Sequence, residues 1–223
     1  MTDDRMIKTF LWGIAGFVLL VLGGLGYALT MGPSQVVVGQ PETDLTFNDD
    51  NAPSKGPADA KVTVRIFGDF QCPACGTAEP ALESMMKQYE GKVRFVWDDF
   101  PLVNTHEHAY DAAKAARCAQ EQGKFWEFHD KLYQTQDAWV NANETITAMQ
   151  NVAQAIGMNV PAFTICYSDD RYAYKIKSDL SEGEGIKVQA TPSFFVNKTR
   201  YEGVLSEQKW KTILDDALKA SGS

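Results

Sequence analysis

From Val62 the chain alternates a β-branched apolar set, Val62, Val64 and Ile66, with Thr63 and Arg65, and closes on Phe67. That pattern suits a buried strand. The period then changes. Ala78, Leu82, Met85, Met86 and Tyr89 recur at helical spacing and predict a helix beginning near residue 73. Lys92 to Trp97, KVRFVW, predicts a second strand. Strand, helix and strand in this order imply a right-handed parallel unit, whose sites lie at the carboxyl ends of its strands. A helical region follows. Thr105 to Gln122 carries a small-residue face of Ala109, Ala112, Ala113, Ala116 and Ala119, and Phe125 to Gln134 carries Phe125, Trp126, Phe128, Leu132 and Tyr133. Glu144 to Ile156 keeps the helical period up to Gly157, a suitable C-cap, and Asp169 to Leu180 adds another helix. Lys187 to Asn197 returns to the sheet and Arg200 to Val204 pairs with it as a hairpin strand. The last helix, capped by Ser206, runs to Ala220 with a stripe of Trp210, Ile213, Leu214, Ala217 and Leu218.

Ahead of the first strand the pattern is of another kind. Phe10 to Met31 contains no charge over 22 positions and would span roughly 33 Å as a helix, enough for a hydrocarbon core. A cleaved secretory signal has a shorter apolar region and a small-residue cleavage site, so an uncleaved anchor is the reading. Arg5 and Lys8 precede the span and the next basic residue is Lys55, which puts the amino terminus in the cytoplasm. The chain is then a single-pass protein of the cell membrane: tail 1–9, anchor 10–31, linker 32–57 and an extracytoplasmic domain over 58–221. The linker is rich in proline and acidic residues and reads as a coil whose ends lie about 30 Å apart. Val36 to Val38 within it fits either a short strand or coil.

Composition sharpens this only in part. Of 223 residues 44% are hydrophobic and 22% charged, ordinary for one globular domain with appendages. The net charge of -8 argues against nucleic acid or an anionic membrane surface as a direct ligand.

The chemistry lies where the strand pattern becomes helical, in FGDFQCPACGTAEP from Phe67 to Pro80. Cys72 falls at a helix N-terminus, and Pro73 suits the first helical position because it loses no hydrogen bond there. Unpaired N–H groups and the positive end of the helix favour an anion, so the Cys72 thiol is expected to ionise easily and to face solvent as the nucleophile. Cys75, one turn on, is the shielded, resolving partner, within disulfide reach. Zinc sites share the C-x-x-C spacing but normally supply four ligands, and no second such pair exists in the sequence.

GDFQCPACG after a strand, EQGKFWEFHDKLY from Glu121 to Tyr133 and VQATPSFFVN from Val188 to Asn197 together resemble the DsbA-like branch of the thioredoxin superfamily. The resemblance implies an α/β protein, a thioredoxin fold with an inserted helical domain at about 104–183, here preceded by one transmembrane helix. It implies a cis peptide at Thr191-Pro192, whose flanking backbone pairs with the substrate. It also likens Pro80 to the proline that kinks the active-site helix. The best-known members carry Pro-His between the cysteines. Pro73-Ala74 lacks the histidine's positive charge, so a less strongly oxidising centre is expected.

Thioredoxin relatives move protons to the inner cysteine with a buried acid. Asp69, Asp98 and Asp99 are weighed for that part, with Asp69 first, but are read as solvated loop carboxylates. His106, His108 and His129 are not read as metal ligands, since an i,i+2 pair does not share a helix face. Neither metal nor other cofactor is expected. Cys118 and Cys166 fit a structural disulfide in an oxidising compartment, with two buried free thiols as the alternative. The expected activity is an extracytoplasmic thiol-disulfide oxidoreductase that introduces disulfides into unfolded or folding polypeptides with free thiols. A DsbB or VKOR-type membrane oxidase is the reoxidant the resemblance implies. A reductase or isomerase of the same fold, and a metal-delivery module using the cysteine pair, are the alternatives.

Overall fold

The structure, a computed structural model, describes residues 37–38 and 45–222. The expected tail and anchor lie outside the described residues, among which no helix is long and apolar enough to cross a membrane.

The strands are β1 (Val37–Val38), β2 (Ser54–Lys55), β3 (Val62–Gly68), β4 (Val93–Asp99), β5 (Ser193–Val196) and β6 (Thr199–Glu202). They form one sheet in the order β1-β6-β5-β3-β4-β2. β3 and β4 run parallel from Val62 opposite Val93 to Gly68 opposite Asp99, and β5 lies antiparallel on the other side of β3, with Val64 opposite Val196. Helix α1 (Pro73–Gln88) is the crossover between β3 and β4 and contains Pro80. Period-two alternation along β3 divides the core. Val62, Val64 and Ile66 join the larger cluster under α1 and α8 (Glu207–Ala220), while Phe67 joins a smaller one with Leu45, Phe100, Val188 and Phe195 on the opposite face.

Six helices separate β4 from β5: α2 (Ala109–Glu121), α3 (Phe125–Gln134), α4 (Gln136–Val140), α5 (Thr145–Ala155), α6 (Val160–Ser168) and α7 (Ala173–Gly185). α2 starts four residues later than its pattern predicts, because Thr105 and His106 direct their N–H groups back to the Leu102 carbonyl in a turn. Gly157 ends α5 with φ of 70°. α7 is displaced toward the carboxyl end, beginning after a turn at Asp170, whose φ is 48°. Helix α6 is not foreseen from the sequence. Its apolar residues lie on both sides, Phe163 and Cys166 buried and Ile165 60% exposed, so no amphipathic period announces it. Its start is nonetheless capped, the Asn159 side chain accepting from the Ala162 N–H at 3.0 Å.

The linker expectation is corrected over residues 45–57. Phe47 packs against Phe67 and Phe195 with ring centroids 6.5 and 5.4 Å apart, and the Arg65 guanidinium lies 4.5 Å from its ring. Asp49 pairs with Arg65 and with Arg94, β2 pairs with β4, and β1 pairs with β6. Arg65 sits in the middle of an apolar strand and needs compensating charge, which Asp49 and Asp98 provide.

Cys118 of α2 and Cys166 of α6 are joined in a disulfide across a sequence separation of 48. Closing a loop of that length stabilises by about 4 kcal/mol on the chain-entropy model. Replacing both cysteines with alanine is therefore expected to lower unfolding stability by about 4 kcal/mol, as measured by denaturant titration. A change within error would show that the unfolded chain is not restrained by this bond.

Candidate redox site

The parallel β3–β4 pair sets the site. At the carboxyl end of β3 the chain turns through Asp69, Phe70 and Gln71, and Cys72 becomes the N-cap of α1 with φ -65° and ψ 121°. Its own N–H donates to the Asp69 carbonyl at 3.1 Å, and its carbonyl accepts the first helical bond, from Gly76 at 3.2 Å. The N–H groups of Ala74 and Cys75 are thereby turned toward the Cys72 sulfur. Pro73 holds the first helical position, as its fixed φ permits.

Both cysteines are free thiols. Cys72 is 6% exposed and Cys75 4%, so neither is open, although Cys72 was expected to face solvent. The cover is the loop before β5. Thr191-Pro192 is a cis peptide, and the Cys72 sulfur lies 3.4 Å from the Thr191 carbonyl, to which it donates only while it is protonated. Gln189 and Ala190, the residues just before, are exposed, and Gly203 donates to the Pro192 carbonyl at 2.9 Å.

The two thiols are driven apart electrically. A hydrogen bond from the Cys75 thiol, helped by Thr191 and by the N–H groups of Cys75 and Ala74, lowers the Cys72 thiol from 9.0 to about 5 in spite of burial. Burial, followed by that same hydrogen bond to Cys72, pushes Cys75 well above its ordinary value. One sulfur is thus a thiolate at neutral pH and the other keeps its proton.

The solvated-carboxylate expectation is overturned for all three acids. Asp98 and Asp99 are each 1% exposed: Asp98 pairs with Arg65 at 2.7 Å and Asp99 with Arg117 at 2.6 Å. Asp69 is 2% exposed. Its carboxylate accepts from the N–H groups of Gln71 (2.8 Å) and Leu102 (2.9 Å) and meets His106 Nδ1 at 2.7 Å. The carboxylate therefore closes the loop, and it is the backbone N–H of Asp69 that bonds Cys75.

Three further residues escape the sequence reading. Glu79, one turn beyond Cys75, is 8% exposed, and burial raises its carboxyl to about 7. Its place on the apolar stripe between Ala78 and Leu82 was the available signal. Tyr133 donates from its hydroxyl to the Asp69 carbonyl at 3.2 Å, and Gln136 donates to the carbonyls of Phe70 and Cys72. Tyr133 was read only as an aromatic of its core helix, and Gln136 carried no sequence signal; both reach the site from the helical insertion.

His106 and His108 bind Asp69 and Thr145 respectively, not each other. Glu79, His129 and Asp130 place ligand-type atoms within 4.8 Å of one another, with a single nitrogen among them. His129 is buried among the rings of Phe70, Trp97 and Trp126. A concavity of about 610 Å³ lies in the insertion against Trp139 and Val152 and includes neither cysteine.

Comparison with known proteins agrees with this geometry. The family model described as thioredoxin matches residues 48–216. The chain is 31% identical over 151 residues to the probable disulfide bond formation protein D of Bacillus anthracis, covering 65% of this chain and 69% of that one. It is also 39% identical over 149 residues to the Na(+)/H(+) antiporter NhaA 3 of Salinispora tropica, covering 67% of this chain but spanning only 22% of the antiporter's length. Among solved structures, a thioredoxin-like oxidoreductase from Silicibacter pomeroyi superposes with a TM-score of 0.66 at 25% identity, covering 77% of this chain and 94% of that one. With the cysteine pair at the N-terminus of the crossover helix and a helical insertion before β5, the chain belongs to the thioredoxin family.

Proposed function

We propose that the chain is a membrane-tethered, extracytoplasmic oxidase that introduces disulfides into polypeptides bearing free thiols. The observation that carries this reading is the lowering of the Cys72 thiol to about 5 at the N-cap of α1, beside a Cys75 whose proton is held. A low-pKa sulfur is a good leaving group and a stabilised product of reduction, so the pair gives up its disulfide readily.

The exchange runs in two displacements. A substrate thiolate attacks the Cys72 sulfur of the Cys72–Cys75 disulfide, a substrate–Cys72 bond forms, and Cys75 departs as thiolate and takes up a proton. A second substrate thiolate then attacks the substrate sulfur of that mixed disulfide, forming the product disulfide and expelling Cys72 as thiolate. Two electrons have passed from two substrate thiols to the pair, and a quinone-coupled membrane oxidase of the DsbB or VKOR type removes them. The exposed backbone at Gln189 and Ala190, ahead of the cis Thr191-Pro192 bond, is available to pair with an extended substrate segment. The Phe10–Met31 segment supports the tether, with the domain outside.

A glutathione redox titration tests the direction. A potential between about -120 and -230 mV is expected, between those of the strongest oxidases and the glutaredoxins. A value near -270 mV, that of thioredoxin, would make the protein a reductase.

A further inference from the structure

Gln136 lies at the start of α4 in the helical insertion, yet its side chain is directed into the loop that presents the cysteines. Its Nε2 donates to the Phe70 carbonyl at 2.7 Å and to the Cys72 carbonyl at 3.1 Å. These acceptors flank the turn into α1. The Cys72 carbonyl also accepts from Gly76, so one oxygen closes the first helical bond and the tie to the insertion together.

A second observation on α1 points to the same residue. A Cβ added to Gly76 would lie 2.8 Å from Gln136 Oε1 and 3.3 Å from its Cδ. Gly76 has ordinary helical backbone, and glycine inside a helix costs about 1 kcal/mol relative to alanine. A methyl group at this position would therefore have to displace the amide end of Gln136. Gln136 also lines a groove of about 540 Å³ with Pro73, Gly76 and Thr77, beside the nucleophile.

We propose that Gln136 is a positioning residue of the redox pair: its amide fixes the carbonyls on either side of the turn, so that the N–H groups of Ala74 and Cys75 stay aimed at the Cys72 sulfur. The inference rests on reading Cys72 as the thiolate nucleophile. The insertion is in this way a part of the redox centre's frame, acting through the backbone of α1's first turn. The titratable groups around that sulfur are Cys75 on α1, Tyr133 from α3 and Asp69 in the loop, and Asp69 in turn meets His106.

The test is the pH profile of Cys72 alkylation in the reduced full-length chain, followed by mass spectrometry, for the wild type, Gln136→Leu and Gly76→Ala. The first variant removes the amide. The second leaves it in place but pushes it aside, while improving the helix propensity of α1, so a loss of helix stability cannot account for its effect. Both profiles are expected to move upward by about one pH unit, a tenfold change in thiolate fraction. Thermal unfolding of the oxidised forms is expected to stay close to that of the wild type. Profiles that coincide with the wild type would overturn the positioning role. If Gln136→Leu fails to fold, Gly76→Ala alone decides. A wild-type midpoint near 9 would overturn the thiolate reading, and the inference with it, whereas a low wild-type midpoint shared by both variants overturns the inference alone.

Discussion

Cys72→Ser is expected to lower disulfide transfer to a reduced, unfolded polypeptide by at least about 10³-fold, since a serine hydroxyl can neither form the mixed disulfide nor leave as a stable anion. Cys75→Ala is expected to fail differently. Loaded with a single-cysteine substrate as a mixed disulfide, it keeps the Cys72–substrate bond and lacks the internal thiol that would release it, so a covalent adduct accumulates on non-reducing gels. The pair of outcomes separates nucleophile from resolving partner. An adduct forming with Cys75 in Cys72→Ser at the wild-type rate would reverse the assignment. The same asymmetry predicts a pH dependence of stability. The folded Cys72 thiol is lowered from 9.0 to about 5, so its ionised form stabilises the reduced fold. That contribution is complete above about pH 9 and is lost as the pH falls toward 5. The disulfide form has no such group. The stability of reduced relative to oxidised protein should therefore decline on acidification through this window, and Cys72→Ser should abolish the Cys72-dependent part of the trend.

The legible parts of this chain were those written in local periodicity. β3, β4, α1, α3 and α8 follow directly from alternating or helical spacing, and the position of Cys72 follows from Pro73 and the change of period. The cis bond was reached through the family resemblance, since spacing alone leaves Pro192 as an ordinary strand proline. What stayed hidden depends on contacts far apart in sequence. Asp69, Asp98 and Asp99 look like loop carboxylates because their partners His106, Arg65 and Arg117 are 37, 33 and 18 positions away. Residues 45–57 look like a tether because proline and acid are also what a packed strap uses when its anchors, Arg65 and Arg94, belong to the sheet. Gln136 is invisible for a third reason: a neutral amide in a short helix has no signature until the carbonyls it serves are in view.

The buried charge that most ties these distant pieces together is Arg117, and Arg117→Met is expected to destabilise the protein by about 3 to 5 kcal/mol at neutral pH. The guanidinium is 0% exposed and contacts three separate elements. It pairs with Asp99 of β4 at 2.6 Å and with Asp179 of α7 at 2.6 Å, and it donates to the Asn51 carbonyl at 3.0 Å. Methionine fills much of the volume, so the loss comes chiefly from Asp99, left buried without its cation, and from Asp179, left with Lys175 alone. Adding Asp179→Asn should therefore recover part of it. The deficit should also depend on pH with a definite sign. Burial foremost raises the Asp179 carboxyl from 3.8 to about 6, against the pull of Arg117 and Lys175. The folded protein thus holds that proton more tightly than the unfolded chain between these values, and this group favours folding as the pH falls through about 6. Removing Arg117 takes away a lowering influence, so the window extends to higher pH. The variant should be weakest relative to the wild type near pH 8 and closest to it near pH 5, measured by denaturant titration at both. An equal deficit at the two would locate the loss in packing, and would mean that the carboxylates around Arg117 find their compensation elsewhere.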